Sequence, residues 1–168
     1  DNFDLVELTQ VICDDARFEY PDHTLHCEFP EHAWIEHSSQ LALGQAIENV
    51  IRNALRHTPG SGEVHVSLVS DGTHYTLVVA DQGPGVPQEM LYDIFKPFFR
   101  VDKARRAVNA FTTKTRIGFG LGLALAERQV RAAGGSISAE NITSEHQISG
   151  LSVQITLPIK AQETSHCV

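Results

Sequence analysis

Three short stretches of this chain carry residue types and spacings that could do chemistry. Along Ser39–His57 apolar residues recur at helical spacing. With each residue advancing roughly 100°, Asn49, Asn53, Arg56 and His57 fall on one stripe and Leu43, Ile47, Val50, Ile51 and Ala54 on the opposite one. Asn is a mediocre helix former, but its amide oxygen can ligate a hard divalent cation, and a guanidinium or imidazole can meet phosphate or stack on a ring. Taken alone, the stripe favours an ordinary solvated face.

The second stretch, Asp81-Gln82-Gly83-Pro84-Gly85, follows an alternating apolar run and so places a carboxylate at a strand end, next to a backbone that a flat ligand could approach closely. An ionised Asp81 could accept a hydrogen bond from an exocyclic amino group such as that of adenine. By itself this pattern is also that of a plain turn. The third stretch, Gly118-Phe119-Gly120-Leu121-Gly122-Leu123, opens a helix, where exposed amides and the helix dipole favour an anion such as a phosphate chain. It is no P-loop, since it has no Gly-Lys-[Ser/Thr], and in isolation it is also that of a flexible hinge.

The elements that must position these groups follow from period and punctuation. Leu5, Leu8 and Ile12 predict a helix capped by Asp4 and ending near Asp15. Leu25–Glu36 alternates around Pro30 as two short strands or a strand and its continuation, and the central helix from Ser39 is stopped after His57 by Thr58-Pro59-Gly60-Ser61-Gly62. Glu63–Val69 and His74–Ala80 read as an antiparallel pair about an Asp71-Gly72 turn. Gln88–Phe95 predicts a short helix, Lys96–Ile117 a long charged loop, and Gly120–Ala133 a helix closed by Gly134-Gly135. Ser136–Asn141 and Leu151–Ile159 supply two more strands.

The chain has 168 residues, 42% hydrophobic and 20% charged, which suits one soluble domain over residues 1–160 with a tail over 161–168. With 13 basic against 21 acidic residues the net charge is −8, which argues against a nucleic-acid binder and makes any phosphate site local. No apolar run reaches the roughly 20 residues of a membrane span, and Asp1-Asn2-Phe3-Asp4 does not open a secretion signal. Without an initiator methionine, the chain is expected to be a piece of something longer. Cys13, Cys27 and Cys167 form no C-x-x-C pair and suit reduced thiols in a cytosolic compartment. His23, His26 and Cys27 lie close in sequence, but no second ligand pair accompanies them, so they read as solvated strand residues.

Taken in order, Glu48–Thr58, Asp81–Gly85, Phe95-Lys96-Pro97-Phe98-Phe99-Arg100 and Gly118–Leu123 resemble the N box, first glycine box, F box and second glycine box of the catalytic, ATP-binding domain of bacterial sensor histidine kinases. The resemblance implies an α/β fold of the Bergerat type: a two-layer sandwich, its mixed and mostly antiparallel sheet under three helices, with an ATP lid from Val86 to Ile117. It implies ATP as substrate and Mg²⁺ as cofactor. Asn53 would ligate the metal, Asn49 would support it, Arg56 would meet phosphate and His57 would flank the nucleotide. Asp81 would accept from the adenine amino group, with Gly83, Gly85 and Val86 shaping the base pocket. Gly118, Gly120, Leu121, Gly122 and Leu123 would form the phosphate turn, and Arg100, Lys114 and Arg116 would supply further phosphate contacts. Phe95, Phe98 and Phe99 would serve as apolar anchors. Phe119 stands where the family often has a small hydroxyl residue, which implies a stiffer lid hinge.

Gyrase-like relatives carry a carboxylate base four residues before the metal-binding Asn. Here that position is Asn49, and Glu48 points roughly 100° off the stripe. The expectation is therefore a domain that positions ATP without activating water and hands the γ-phosphoryl group to a histidine elsewhere. In the family that histidine lies in a helical-hairpin dimerisation domain, and a response regulator receives the phosphoryl group afterwards. No His-Glu-x-x-[Ser/Thr]-Pro segment occurs in this chain. The resemblance also implies a cytoplasmic domain tethered in the intact protein to the inner face of the cell membrane. The alternatives are a stand-alone serine kinase or ATPase, and a degenerate interaction module.

Overall fold

The computed structural model describes residues 1–101 and 119–160. Strands β1 (Phe3–Asp4) and β3 (Trp34–Ile35) pair into a small antiparallel ribbon. β2 (Thr24–Glu28), β4 (Glu63–Ser70), β5 (His74–Ala80), β6 (Ser136–Ser144) and β7 (Gln147–Pro158) form one sheet in the order β2-β4-β5-β7-β6. Only β2–β4 is parallel in that sheet; its other three pairings are antiparallel, as expected for a mixed, mostly antiparallel sheet.

Helices α1 (Leu5–Glu19), α2 (Gln40–His57) and α3 (Gly122–Ala132) supply the other layer. Inward residues of alternating strands, Val64, Val66, Leu68, Leu77, Val79, Val153 and Ile155, are buried with Leu43, Ile47, Val50 and Ile51 of α2 and Leu123, Ala126 and Val130 of α3. This is the α/β sandwich expected. Its core lies between sheet and helices, so the polar stripe of α2 is left on the rim.

Local chemistry sets the boundaries. Asp4 caps α1 by accepting from the Val6 N–H at 3.0 Å, and the same carboxylate accepts from the Ala33 N–H at 2.9 Å and meets His32 Nδ1 at 2.7 Å. One buried group thus starts the helix and ties β1 to β3. Ser39 caps α2 through the Ala42 N–H at 3.1 Å. α1 runs to Glu19 rather than stopping near Asp15, because Ala16 is still buried and Arg17 reaches the Leu25 carbonyl at 2.9 Å. The short helix expected at Gln88–Phe95 is instead two 3₁₀ turns, Gln88–Met90 and Asp93–Phe95. α3 begins at Gly122, and β6 and β7 extend towards each other as a long hairpin turning at Glu145-His146. No helix among the described residues is long and apolar enough to cross a membrane. The expected tail, residues 161–168, lies outside the described residues.

Candidate nucleotide site

The polar stripe of α2 meets the start of α3. A β carbon built on Gly122 would lie 3.7 Å from Cβ, Cγ and Oδ1 of Asn49, so the third glycine of the last box sits directly against the amide stripe. One turn along, Asn53 is buried and its Oδ1 accepts from Arg56 Nη2 at 3.3 Å. This hard amide oxygen already draws a cation, and so suits a hard divalent ion. Among the described residues no side chain caps α3, whose first turn follows Leu121. Its leading amides are therefore the orphan donors that an anion satisfies. Glu48 points elsewhere: it pairs with Arg52 at 3.0 Å, and Arg52 with Glu19 at 2.9 Å.

The other end is built around Asp81. Its backbone N–H donates to the Leu151 carbonyl at 2.9 Å, while its Oδ1 accepts from the N–H groups of Gly83 at 2.8 Å and Leu151 at 3.0 Å. Both side-chain bonds fall on one oxygen. Burial pushes the carboxyl pKa above its ordinary value, and the Gly83 and Leu151 N–H groups pull against that rise. Gly83 fits because a side chain there would press on the His57 carbonyl, its β carbon 2.7 Å from that oxygen. Close approach thus welds the Asp81 turn to the end of α2.

His57, Asp81, Pro84, Gly85, Val86, Phe119 and Leu151 enclose a cavity of about 10 Å³. That is room for roughly one water. Phe119 does the filling: it is buried and its ring lies 4.9 Å from that of His57, tilted by 55°. The F-box stretch pairs with the last glycine box, the Phe98 N–H donating to the Gly120 carbonyl at 2.8 Å and the Phe119 N–H to the Phe99 carbonyl at 3.3 Å.

The residues singled out in the sequence therefore converge from three stretches. Asn49, Asn53 and Gly122 meet at one end, and His57, Asp81, Gly85 and Val86 at the other. Gly120 and Leu121 are exposed, whereas the Leu123 side chain is fully buried and anchors α3 in the core. Arg100 is half-buried and is not among the residues lining the cavity. Lys114, Arg116 and Gly118 lie outside the described residues. Phe95 is a core residue and Phe98 is 65% exposed, so only the latter presents an apolar ring outward.

Several contributors escaped the sequence reading. Thr58 is buried, donates Oγ1–H to the Ala54 carbonyl at 2.8 Å and accepts from the Gln82 N–H at 3.3 Å. The Asn141 amide grips Val86 through both its N–H and its carbonyl. Gly150 lets β7 approach, since a side chain there would run into the Asp81 carbonyl. Asn and Gly inside strands are poor β formers, and that was the available signal. His23, His26 and Cys27 disperse: His23 Nε2 meets the Thr58 carbonyl at 2.7 Å, Cys27 accepts from Arg17 at 3.3 Å, and His26 faces outward. Cys13 and Cys27 are free thiols.

Residues 38–161 match the family described as Histidine kinase-, DNA gyrase B-, and HSP90-like ATPase. The sensor histidine kinase CpxA of Escherichia coli strain K12 is 35% identical over 155 residues, covering 91% of this chain and 31% of the relative. The sensor histidine kinase WalK of Bacillus subtilis strain 168 is 33% identical over 145 residues, covering 85% of this chain and 20% of that protein. The chain thus spans at most about a third of the length of these relatives. Among solved structures, the mycobacterial sensor histidine kinase MprB superposes with a TM-score of 0.79 at 28% identity, covering 94% of this chain and 97% of the other. The catalytic domain of histidine kinase ThkA, at 22% identity and a TM-score of 0.73, covers 94% of this chain and 95% of that one and shares the fold.

Proposed function

Since the chain belongs to the Histidine kinase-, DNA gyrase B-, and HSP90-like ATPase family as a catalytic ATP-binding domain of histidine kinase type, we propose that it binds ATP with Mg²⁺ and donates the γ-phosphoryl group to a histidine on a separate helical-hairpin dimerisation domain. The observation that carries this reading is the pairing of a buried carboxylate, Asp81, at one end of the site with an Asn-lined helix face against an uncapped helix start at the other. One end suits a base with an exocyclic amine and the other suits phosphates.

In this reading Asp81 accepts from the adenine amino group, while Gly83, Gly85 and Val86 shape the base pocket and His57 flanks the ring. The amides of Gly120, Leu121 and Gly122 take phosphate oxygens, with Arg56 alongside and Arg100, Lys114 and Gly118 as further members of the phosphate end. Asn53, supported by Asn49, would hold Mg²⁺, which would supply positive charge to offset that of the phosphates. In the transfer, a nitrogen of the acceptor imidazole forms a bond to the γ phosphorus, the bond from that phosphorus to the β–γ bridging oxygen breaks, and ADP leaves. Positioning and charge stabilisation supply most of such a rate. The phosphoryl group would then pass to a response regulator. In the intact protein the domain would work in the cytoplasm, tethered to the membrane.

The test is calorimetric titration of the chain with ATP, with and without Mg²⁺, followed by incubation with an acceptor hairpin domain. Magnesium-dependent binding and base-stable, acid-labile phosphate on the hairpin are the expected results. Acid-stable phosphoserine on a partner, or free phosphate alone, would replace this reading with a serine kinase or an ATPase. No nucleotide binding would reduce the chain to an interaction module.

Asn49 also explains why water should be a poor acceptor. Asn49→Glu would place a carboxylate four residues before Asn53, on the same stripe, where a general base could orient water. ATP hydrolysis is expected to rise by about a hundredfold, the low end of what a positioned general base contributes, measured as phosphate release under saturating nucleotide. An unchanged rate would count against the geometric account of kinase over ATPase.

A further inference from the structure

The outer face of β2, an edge strand, carries a side-chain cluster that nucleotide binding does not use. His26 on β2 stands opposite His65 on β4 in the parallel register. Side chains alternate along a strand, so Glu63, two residues before His65, shares that face. The two imidazoles stack with centroids 4.5 Å apart and planes 16° from parallel. Glu63 reaches both, Oε1 lying 3.4 Å from His26 Nε2 and Oε2 3.5 Å from His65 Nε2. One ligand atom from each residue can be chosen so that all three lie within 4.8 Å of one another.

These separations have a chemical meaning. Metal–ligand bonds of roughly 2.0–2.2 Å in a tetrahedron put neighbouring ligand atoms about 3.4 Å apart. The two N···O distances have that length but run to different oxygens of the Glu63 carboxylate, so small side-chain rotations must bring that carboxylate and the two imidazole nitrogens into a common shell. The backbone ladder from Thr24↔Glu63 to Glu28↔Ser67 fixes the three Cα positions, so binding orders side chains alone. All three side chains are about half exposed, which leaves room for a water as a further ligand.

We propose that His26, Glu63 and His65 form a binding site for a borderline divalent cation of the Zn²⁺ class. Two imidazoles and one carboxylate suit Zn²⁺, Cu²⁺ or Ni²⁺, whereas Mg²⁺ and Ca²⁺ favour oxygen-only shells. The site is thus chemically distinct from the oxygen donors near Asn53. It is connected to the base end nonetheless: the Glu63 N–H donates to Gln82 Oε1 at 2.9 Å, and His65 pairs with Ala80, the residue before Asp81.

The test is calorimetric titration of the whole chain with zinc chloride in excess Mg²⁺, beside His26→Ala, His65→Ala, the double variant and His74→Ala as control. One Zn²⁺ per chain is expected, undisplaced by Mg²⁺. Each single variant should weaken binding by about tenfold or more, since losing even a group that merely orients a ligand costs about that much, and the control should leave it unchanged. In the unsubstituted chain, substoichiometric Cu²⁺ should broaden the NMR amide signals of Thr24–Glu28 and Glu63–Ser67 before any others. Absence of zinc binding, undiminished affinity in the double variant, or first broadening elsewhere would overturn the proposal and leave a carboxylate-bridged histidine stack.

Discussion

Asp81→Asn is expected to abolish measurable ATP binding while leaving the fold standing. The amide keeps one oxygen, and that oxygen can go on accepting from the Gly83 and Leu151 N–H groups that Asp81 Oδ1 serves now. What changes is the second atom, from acceptor to donor. In the proposed pose it would face the adenine amino group, itself a donor, so a charge-assisted hydrogen bond becomes a clash of two N–H groups. Losing such a bond costs about 1.5–3 kcal/mol before the clash is counted, so a weakening of about a hundredfold or more is expected. Calorimetry measures it, with thermal melting followed by circular dichroism as the control on the fold. Undiminished affinity in a folded variant would remove Asp81 from base recognition.

Phe119→Ala should act in the opposite direction on affinity. With Phe119 buried against His57, the cavity beside Asp81 holds about 10 Å³, far less than a purine needs. In the proposed pose the adenine would displace that ring. Burial of a Phe side chain contributes about 1.5–3 kcal/mol, which nucleotide binding must overcome, so its removal is expected to tighten ATP binding by up to about a hundredfold. The same change should lower the melting temperature of the free chain, since a truncated buried Phe costs about 3–5 kcal/mol. Tighter binding together with a lower melting temperature is a pairing that simple damage does not produce. Weaker binding would mean that Phe119 packs on the nucleotide rather than in its place.

The sequence displayed much of this arrangement because its signals were local. The α2 stripe follows from helical period alone, and Asp81 followed by Gly83 and Gly85 marks a strand end. The groups that escaped notice act across the chain. Thr58 looks like a helix stop and Asn141 like a strand residue, and nothing near either shows that they clasp Gln82 and Val86. His26 and His65 lie 39 positions apart in the numbering, and only the parallel pairing of β2 with β4 makes them neighbours. Phe119 is the instructive case, since its unusual size was legible but the cavity it fills was not. The run from Gln88 to Phe95, expected as one short helix, is two 3₁₀ turns instead.

The bond between Leu151 and Asp81 joins residues 70 positions apart. During synthesis a ribosome delivers Asp81, the whole of α2 and the last glycine box well before β7 exists, and domains generally fold from the N-terminal side as they emerge. Until Leu151 arrives, the Asp81 carboxylate lacks one of its two backbone donors and β5 lacks one of its two neighbours in the sheet. If the proposed function holds, nascent chains stalled before that strand should therefore be blind to nucleotide, and ATP binding should be acquired abruptly once the β6–β7 hairpin is complete, as a built-in certificate that translation has passed it.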